Sequence, residues 1–516
     1  MEKSILVGID LGTTTLKAVF ADIVNYRIIT TQTEEIKPAE ADQPGWIEYD
    51  PKDWLDGTAR LLKRGYEQGV DPKKIAGLCF SGWTVTALLA DSRGQPLTNA
   101  IHYNDMRHLD DLPELEAIAG ERCVRGNGNY IGVYNGLAKQ YWWKKRRPEI
   151  FGRARSIHTE ATWMVKQLTS VDAWNRAEAG FYGQYNAYSR DWDNDVIDLI
   201  GFPRDIHPKL YDPWEIVGAV TKEASLLTGL PEGTPVAAGA DDASPVALAS
   251  GVLNAGQCYC SAGSAANIVV NMEKPVSHPT VITYPHCIPG LTVAATVMSS
   301  TGLSNKWARD ALCQAETAVA SVTGDDTYDY MNRAAARVRP GSGGVIFLPY
   351  LDGDYTPNND ANARGCFIGM DASTTKADLL RAVLEGVAFS ILDNINLIRG
   401  LGGTLDEIVL SGGLSKSEIW MQIISDVTGC NISLPGEAEG AALGDALIAG
   451  FGAGLIGSYE TAVRRLVTIR RGAYTPDAEN HRLYQYTYNI YKELYPALKH
   501  TFLQLADGRR KNGGSG

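Results

Sequence analysis

The sequence lacks an excess of basic residues: its 516 residues include 48 Lys or Arg and 60 Asp or Glu, a net charge of −12. This balance argues against a nucleic-acid partner or an anionic membrane surface, because both select basic surfaces. No apolar run is long enough to span a bilayer, and no signal-peptide pattern precedes the first predicted strand. We therefore expect a cytoplasmic protein with no membrane or nucleic-acid partner.

Cysteines are few and scattered, and of the eight only Cys258 and Cys260 lie close together, in a strand-like run. We interpret them as a buried thiol pair in a reduced protein, because no further metal ligands lie nearby in sequence. Neither a Walker loop nor a G-x-G-x-x-G fingerprint occurs where a strand-to-helix turn would need it. A nucleotide site would have to use other loops.

The length predicts two large domains, since a single hydrophobic core rarely grows past roughly 250–300 residues. A strand–turn–strand pattern begins near residue 5, and a similar cycle begins near residue 235. We place the N-terminal domain at residues 1–248, the C-terminal domain at 249–508 and a flexible polar tail at 509–516. A helical stripe of tyrosines between Tyr484 and Tyr495 predicts packing and not a ligand site.

A polar turn after the first strand has the residue types that a nucleoside triphosphate requires, namely backbone donors, space and a metal ligand. Gly12 permits a tight turn, and Thr13, Thr14 and Thr15 offer hydroxyls beside successive amides. Asp10 ends the strand, where it could reach Mg²⁺ through its water shell, and Lys17 could help to neutralise charge. An ordinary hairpin, with threonine favoured by β-propensity, would give the same pattern.

Two later glycine turns are candidates for further nucleotide contacts. Gly263 and Ser264 form a small-residue turn between two predicted strands, which would suit a second phosphate clamp. Gly412 and Gly413 follow a buried strand and would let a flat ring or a ribose approach the backbone. Plain turns would explain either pair in isolation.

Two adjacent aspartates, Asp241 and Asp242, follow a predicted strand and precede an apolar helix. A kinase that acts on an alcohol needs a carboxylate to accept the hydroxyl proton. An aspartate at this place can equally cap the helix. We expect one of the pair to cap and the other to do chemistry, and the spacing does not decide which.

The motifs of the chain are specific in combination. They are Gly8-Ile9-Asp10-Leu11-Gly12-Thr13-Thr14, Ala138-Lys139-Gln140-Tyr141-Trp142-Trp143, Leu348-Pro349-Tyr350 continuing to Ala363-Arg364-Gly365, Gly365-Cys366-Phe367-Ile368-Gly369-Met370 with Ala382-Val383-Leu384-Glu385-Gly386, Gly412-Gly413, and Glu439-Gly440-Ala441-Ala442-Leu443-Gly444. With them the chain resembles the FGGY carbohydrate kinases, which include xylulokinase, gluconokinase, ribulokinase and glycerol kinase. The resemblance runs from about residue 5 to about residue 470.

The resemblance implies an α/β fold of two actin-like (ribonuclease H-like) domains around a central interdomain cleft, with ATP mostly on the C-terminal domain. It implies that Asp242 is the catalytic base, with Ala243 in place of the usual asparagine, and that Asp10 is the metal-associated aspartate. The implied nucleotide contacts are Thr13, Thr14, Gly263, Ser264, the stretch with Thr301, Gly302 and Lys306, and the adenosine loop of Gly412 and Gly413.

The chain departs from the family on the sugar side. Xylulokinases carry a Ser-Gly-Gln-Met-His-Gly segment, and here Thr84 and Val85 replace the Met-His pair, so the sugar contacts must differ. The segments expected to line that side contain Trp83, Thr84, Asn104, Asp105 and Arg107. Alternatively, Asp105 and Arg107 form an ion pair and Trp83 belongs to the core.

These observations predict an ATP- and Mg²⁺-dependent kinase that phosphorylates a hydroxyl of a small sugar or polyol. Ketopentoses such as xylulose or ribulose are favoured, followed by tetritols, other polyols and aldonates. A non-catalytic sugar or nucleotide sensor on the same scaffold is the alternative, and the presence of Asp242 favours the enzyme. An actin-like or chaperone-type ATPase would need polymer contacts or a peptide-binding domain, and we expect no room for the latter after residue 470. Dimers are common in the family, so a homodimer is left open.

Overall fold

The computed structural model of the chain describes residues 3–436 and 440–511. Glu439, part of one motif named above, and residues 512–516 of the predicted tail lie outside the described residues. The last helix continues to Lys511, three residues into the segment assigned to the tail. In the described part of the chain, no helix is long and apolar enough to cross a bilayer.

The strands of the described chain are β1 (Ile5–Leu11), β2 (Thr15–Asp22), β3 (Arg27–Glu35), β4 (Glu48–Tyr49), β5 (Ile75–Gly82), β6 (Leu88–Ala90), β7 (Ala100–Ile101), β8 (Ser156–His158), β9 (Ala173–Asn175), β10 (Tyr185–Asn186), β11 (Asp191–Trp192), β12 (Lys209–Tyr211), β13 (Ile216–Ala219), β14 (Pro235–Ala237), β15 (Ala240–Asp241), β16 (Cys258–Ala262), β17 (Ala266–Met272), β18 (Ile282–Pro285), β19 (Thr292–Met298), β20 (Ile346–Leu348), β21 (Cys366–Ile368), β22 (Glu407–Gly412), β23 (Asn431–Pro435) and β24 (Ile469–Tyr474).

The α-helices are α1 (Pro51–Glu67), α2 (Leu112–Asn127), α3 (Gly136–Arg146), α4 (Pro148–Phe151), α5 (Glu160–Thr169), α6 (Arg176–Ala179), α7 (Asn194–Leu199), α8 (Lys222–Thr228), α9 (Ala243–Ala249), α10 (Gly302–Leu312), α11 (Gln314–Thr323), α12 (Thr327–Ala336), α13 (Lys376–Gly400), α14 (Glu418–Thr428), α15 (Ala441–Gly452), α16 (Tyr459–Leu466) and α17 (Ala478–Lys511).

The chain divides into two compact units, and neither is a single continuous segment. The first contains Met1–Asn254, Asn271–Ala294 and Glu437–Thr468, and the second contains Ala255–Val270, Ala295–Gly436 and Ile469–Gly516. Two units agree in number with the two domains that the length predicts. The domain boundary at residue 248 stays a prediction, because the first unit takes in segments from both sides of it.

The first unit is built on a mixed sheet with the strand order β13-β14-β5-β1-β2-β3, and β15 also pairs with β5. β1 is parallel to β5 and antiparallel to β2. Helix α15 packs against β1 so closely that a Cβ on Gly8 would lie 1.8 Å from the Ala442 carbonyl oxygen. The sequence Ile-Leu-Val-Gly-Ile in β1 is therefore apolar throughout because the strand is buried, and its glycine admits a helix.

The second unit contains the strand order β17-β16-β22-β23-β24 within its sheet. β16 is parallel to β22, and their register pairs Ala262 with Gly412. Cys258 and Cys260 on β16 are buried free thiols, which confirms the interpretation of that pair. The long helix α13 begins at a capping box between Thr375 and Asp378.

The tyrosines of the predicted helical stripe are buried in the second unit, which confirms that they serve packing. Tyr484 donates a hydrogen bond of 2.7 Å to Glu385 Oε1 on α13. Tyr495 donates one of 2.9 Å to Asp360 Oδ2. The apolar faces of these rings thus fill the core, while each hydroxyl satisfies a buried carboxylate.

Asp354 is a buried carboxyl in this unit, and its Oδ2 accepts the backbone and side-chain N–H groups of Asn358 at 3.1 and 2.8 Å. Burial, together with the carboxylates of Asp393 and Asp360, raises its pKa to about 7. A carboxyl whose pKa rises on folding stabilises the fold below its unfolded value, near 3.8, and loses that contribution as the pH rises through about 7.

We therefore expect the melting temperature of the wild type to fall between pH 5 and pH 8. This fall should exceed that of Asp354→Asn by about 5 °C. The asparagine cannot ionise, yet its carbonyl oxygen can still accept from Asn358. Differential scanning fluorimetry across this range measures the difference, and Asp352→Asn, at an exposed position two residues away, is the control. Parallel melting curves for the wild type and Asp354→Asn would contradict the prediction.

Candidate active site

The first polar turn joins β1 to β2 as a hairpin, as the sequence predicts. Its register pairs Asp10 with Lys17, and a Cβ on Gly12 would lie 2.6 Å from the Thr15 carbonyl oxygen. Tyr49 donates a hydrogen bond of 2.6 Å to the carbonyl of Thr13. The tight turn therefore needs a glycine, and its backbone is held from outside the hairpin.

Carboxylates gather where the strands of the first unit end. The register places Asp10 of β1 opposite Ser81 of β5, and Gly82 opposite Asp241 of β15. Because the ends of parallel strands meet at one edge of a sheet, these side chains come from distant parts of the chain to one place. Asp445 of α15 joins them, since Ser81 Oγ donates to its Oδ2 at 2.7 Å.

Asp241 and Asp242 have different surroundings. Asp241 is fully buried, and its Oδ2 accepts the backbone N–H groups of Ala243 and Ser244 at 3.1 and 2.9 Å. The Ser244 hydroxyl donates to its other oxygen. Asp242 stands at the N-cap position of α9 and makes no capping hydrogen bond. Asp241 thus satisfies the start of the helix, and Asp242 has no such task.

The negative charges of these neighbouring carboxylates raise one another's pKa. The Asp242 side chain reaches solvent, yet the protein that surrounds it, followed by the charges of Asp241, Asp10 and Glu160, raises its pKa well above the usual value. Burial raises the pKa of Asp10 to about 6, against the opposing charge of Lys17. Once ionised, a solvent-accessible carboxylate of raised pKa is a stronger proton acceptor than an ordinary aspartate.

The same group fits a hydrated divalent cation. Mg²⁺ is usually bound by one or two carboxylates while it keeps several waters, so a complete cage of side chains is not required. Such a cage is absent among residues 3–436 and 440–511. Within those residues, however, the buried Oδ1 of Asp445 has no hydrogen-bond partner, and burial with the charges of Asp10, Asp241 and Asp242 raises the pKa of Asp445. Added positive charge would relieve this repulsion.

The loop after β5 has a strained backbone. Thr84 and Val85 have φ angles of +60° and +52°, which β-branched residues rarely adopt. Each such residue costs about 1–3 kcal/mol, so surrounding contacts must hold it in place. Those contacts come from Glu160 at the start of α5: its Oε1 accepts the Thr84 N–H at 3.1 Å, and its Oε2 accepts the Thr86 hydroxyl at 2.5 Å. Burial raises the pKa of Glu160 to about 7.

Asp105 matches the alternative interpretation of its segment. It is fully buried and accepts from the Ile47 N–H at 2.7 Å, and Arg107 Nη2 donates to its Oδ2 at 2.6 Å. Arg107 also pairs with Glu48 at 2.7 Å and lies 3.7 Å above the Trp46 ring. With its oxygens engaged in this way, Asp105 holds the segment together, and a direct sugar contact from it stays a prediction that the structure does not favour.

Trp83 and Asn104 differ in exposure. Trp83 is buried against Tyr49, His102 and Trp54, with ring centroids 5.0, 5.2 and 5.8 Å away. Its indole N–H has no hydrogen-bond partner among the described residues. Asn104 is exposed. Trp83 is thus core, as the alternative interpretation had it, and its indole N–H is buried, while the exposed Asn104 is accessible to a polar ligand.

The glycine turns of the second unit converge. The N–H of Gly302 donates to the Gly263 carbonyl at 3.0 Å, and the N–H of Leu303 donates to the Ser264 carbonyl at 3.0 Å. A Cβ on Gly302 would lie 2.4 Å from the Gly263 oxygen, and one on Gly412 would lie 2.3 Å from the Ala262 oxygen. Three turns from distant parts of the chain therefore pack backbone to backbone, which only glycine permits.

The surface of these turns is accessible. Gly263, Ser264, Gly412 and Gly413 are exposed, so a ligand could approach their backbone directly. Lys306 lies on the exposed face of α10 and forms an ion pair of 3.3 Å with Asp310. Its contact with a nucleotide stays a prediction.

The sequence alone did not reveal Glu160, Asp445 or Tyr103. Glu160 and Asp445 act on β5 from helices that lie far away in the chain, and no local pattern marks them. Tyr103 is adjacent to Asn104, a predicted site residue. Burial, followed by the smaller effect of the Asp242 charge, raises the pKa of Tyr103. Its place beside two predicted residues is the one signal that could have found it.

Family models confirm the resemblance over most of the chain. The N-terminal domain of the FGGY family of carbohydrate kinases matches residues 5–249, and the C-terminal domain of that family matches residues 258–453. The chain belongs to the FGGY family of carbohydrate kinases. It is accordingly a kinase with the two-domain actin-like (ribonuclease H-like) fold of that family.

Relatives of this carbohydrate kinase align along nearly its whole length. A xylulose kinase of Staphylococcus epidermidis is 30% identical over 505 residues, 97% of this chain and 98% of the relative. An autoinducer-2 kinase of Escherichia coli K12 is 30% identical over 503 residues, 96% of this chain and 94% of the relative. The crystal structure of a xylulose kinase from Rhodospirillum rubrum is 29% identical, with a TM-score of 0.88, and covers 96% of this chain and 99% of that one.

Proposed function

We propose that this carbohydrate kinase transfers the γ-phosphoryl group of ATP to a hydroxyl of a small sugar or polyol, with a ketopentose such as xylulose or ribulose as the favoured acceptor. The observation that carries this proposal is the difference between two adjacent aspartates. Asp241 satisfies the helix start, while Asp242 reaches solvent, makes no capping bond and has a raised pKa. The xylulose kinases among the relatives support the choice of a ketopentose.

In the proposed reaction, the alcohol oxygen forms a bond to the γ-phosphorus as the bond from that phosphorus to the bridging oxygen of ADP breaks. Asp242 accepts the proton that the hydroxyl loses. The backbone of Thr13, Thr14 and Thr15, and the turns at Gly263, Gly302 and Gly412, would hold the nucleotide, with Lys17 and Lys306 as further charge partners. Asp10 would hold Mg²⁺, which supplies positive charge to the phosphates when it is bound.

The alcohol would contact the side of the first unit that carries Thr84 and Asn104. Thr84 and Val85 stand where xylulokinases have a Met-His pair, so the hydroxyl pattern that this enzyme selects is expected to differ from theirs. The indole N–H of Trp83 is buried in the same loop and has no partner among the described residues. These features favour a small polyhydroxylated acceptor whose paired donors and acceptors this surface can match.

A coupled assay of ADP release over a panel of alcohols tests the proposal. The panel contains xylulose, ribulose, tetritols, pentitols, glycerol, gluconate and autoinducer-2, each with Mg²⁺ and ATP. We expect one ketopentose to give the highest kcat/KM, and mass spectrometry to show one added phosphate on it. ADP release that is the same with and without every alcohol would contradict the proposal, and a clear preference for a tetritol or autoinducer-2 would overturn the favoured acceptor.

A further inference from the structure

The loop from Trp83 to Thr86 has an unusual balance of strain and support. Its two central residues, Thr84 and Val85, have left-handed backbone angles, although both are β-branched and buried. Local preference alone would send this loop to another conformation. Some feature outside the loop must therefore fix its shape.

Glu160 is that feature. Its carboxylate is fully buried and accepts from the Thr84 N–H and the Thr86 hydroxyl. Tyr182 adds a hydrogen bond of 2.6 Å from its hydroxyl to the Thr86 carbonyl. A carboxylate accepts through both oxygens, so a single side chain can hold two donors of one loop at once.

The strand that leads into the loop lies directly against the same carboxylate. A Cβ on Gly82 would lie 2.3 Å from Glu160 Oε1 and 2.6 Å from its Cγ, so the strand passes directly against the carboxylate. Gly82 in turn pairs with Asp241, the residue that precedes the proposed base. The conformation of the loop is thereby tied to the same strand end that carries Asp242.

We propose that Glu160 is a positioning residue that sets the specificity for the alcohol, because it holds the strained Trp83–Thr86 loop in the shape that meets the acceptor. This inference rests on the proposed function. Glu160 acts through Thr84 and Thr86, so its loss alters how tightly the alcohol binds. Transfer from ATP to an alcohol that is already bound depends on Asp242 and changes little.

Glu178 provides a matched control. It is a second buried carboxyl in the same unit. It interacts electrostatically with Glu160 and Asp241, as Glu160 does with Asp242. Asn175 Nδ2 donates a hydrogen bond of 2.6 Å to its Oε2, and this bond does not involve the loop. Glu178→Gln therefore replaces a neighbouring buried carboxyl without removing a hydrogen bond of Thr84 or Thr86.

The experiment compares Glu160→Leu, Glu160→Gln and Glu178→Gln with the wild type, using the preferred alcohol and ATP. Leucine has a similar size but accepts no hydrogen bond, and we expect the KM for the alcohol to rise by about tenfold or more while the KM for ATP stays within about twofold. Glutamine keeps one acceptor for the Thr84 N–H, and the Thr86 hydroxyl can turn to accept from its amide. Glu160→Gln should therefore recover the KM for the alcohol to within about threefold.

Several results would overturn the inference. They are a KM for the alcohol in Glu160→Leu that equals that of Glu178→Gln, equal rises in the KM values for both substrates, and no recovery with glutamine. If Glu160→Leu does not fold, Glu160→Gln combined with Val85→Gly serves instead. Glycine removes the left-handed strain at Val85. Glu160→Gln should therefore raise the KM for the alcohol less in the Val85→Gly background than in the wild-type background. An equal rise in the two backgrounds contradicts the inference.

Failure of the proposed function is visible separately. A wild-type enzyme that phosphorylates no alcohol refutes that function before any KM is compared. The crystal structure of Glu160→Gln and of Glu160→Leu then tests the inference alone: φ angles at Thr84 and Val85 that stay positive in the leucine variant would show that Glu160 does not hold the loop, and a relaxed loop would show that it does.

Discussion

Asp242→Asn is expected to lower kcat for alcohol phosphorylation by about 10³-fold or more, with the dissociation constant for ATP changed by less than about twofold. Asparagine has nearly the shape of aspartate but cannot accept the hydroxyl proton. Because Asp242 makes no capping bond to α9, the substitution leaves the helix start intact. Single-turnover kinetics measure the transfer, and isothermal titration calorimetry measures the binding of ATP.

Asp241→Asn is the matched comparison, since the two residues are neighbours of identical chemistry. Asparagine is a good capping residue, so α9 should persist, and Asp241 is buried away from solvent. We expect this variant to retain at least about 100 times the kcat of Asp242→Asn. If instead the two variants lose activity equally, or if Asp242→Asn loses ATP binding, the assignment of the base to Asp242 is wrong.

Gly412→Ala is expected to raise the KM for ATP by about 10–100-fold. Gly412 has a φ of +95°, and an added Cβ would lie 2.3 Å from the Ala262 carbonyl oxygen. Both the backbone strain and the overlap would push apart β22 and β16, whose ends carry the proposed nucleotide turns. Initial-rate kinetics at a saturating concentration of the alcohol measure the effect.

Gly402→Ala is the control for backbone strain. Gly402 has a φ of +97°, close to that of Gly412, but nothing lies within 4 Å of an added Cβ. The two substitutions therefore carry a similar conformational penalty, and only one of them displaces the turns. A KM for ATP that rises equally in both variants would indicate general destabilisation, and would contradict a nucleotide role for the Gly412 turn.

The sequence predicted the elements whose signals are local. The hairpin around Gly12 and the tyrosine stripe of α17 follow from turn chemistry and helical spacing, and both are present. The predicted strand that precedes Asp241 is instead two short strands, β14 and β15. Gly239 separates them with a φ of +97°, where a Cβ would lie 2.8 Å from the Phe80 carbonyl oxygen. Apolar residues gave no sign of this break.

The site was predictable only where one segment carries the chemistry. The resemblance identified Asp242 as the base. The structure adds that Asp241, and not Asp242, accepts the hydrogen bonds from Ser244 at the start of α9. Glu160 could not be found, because its role depends on the left-handed angles at Thr84 and Val85, which favour glycine and are improbable for those residue types. The sequence around Asp105 was compatible both with a sugar contact and with a buried ion pair, and the structure contains the ion pair.

The central claim is that the carboxylate at position 242 takes the proton of an alcohol that is about to receive a phosphoryl group. A crystal structure of Asp242→Asn with the preferred alcohol, Mg²⁺ and ATP tests it most directly, because the slow variant keeps both substrates in place. We predict that the acceptor hydroxyl lies about 2.6–3.2 Å from the side chain of residue 242 and in line with the γ-phosphate. An alcohol bound with its reacting hydroxyl beside another carboxylate, or with residue 242 turned away from both substrates, would contradict the account.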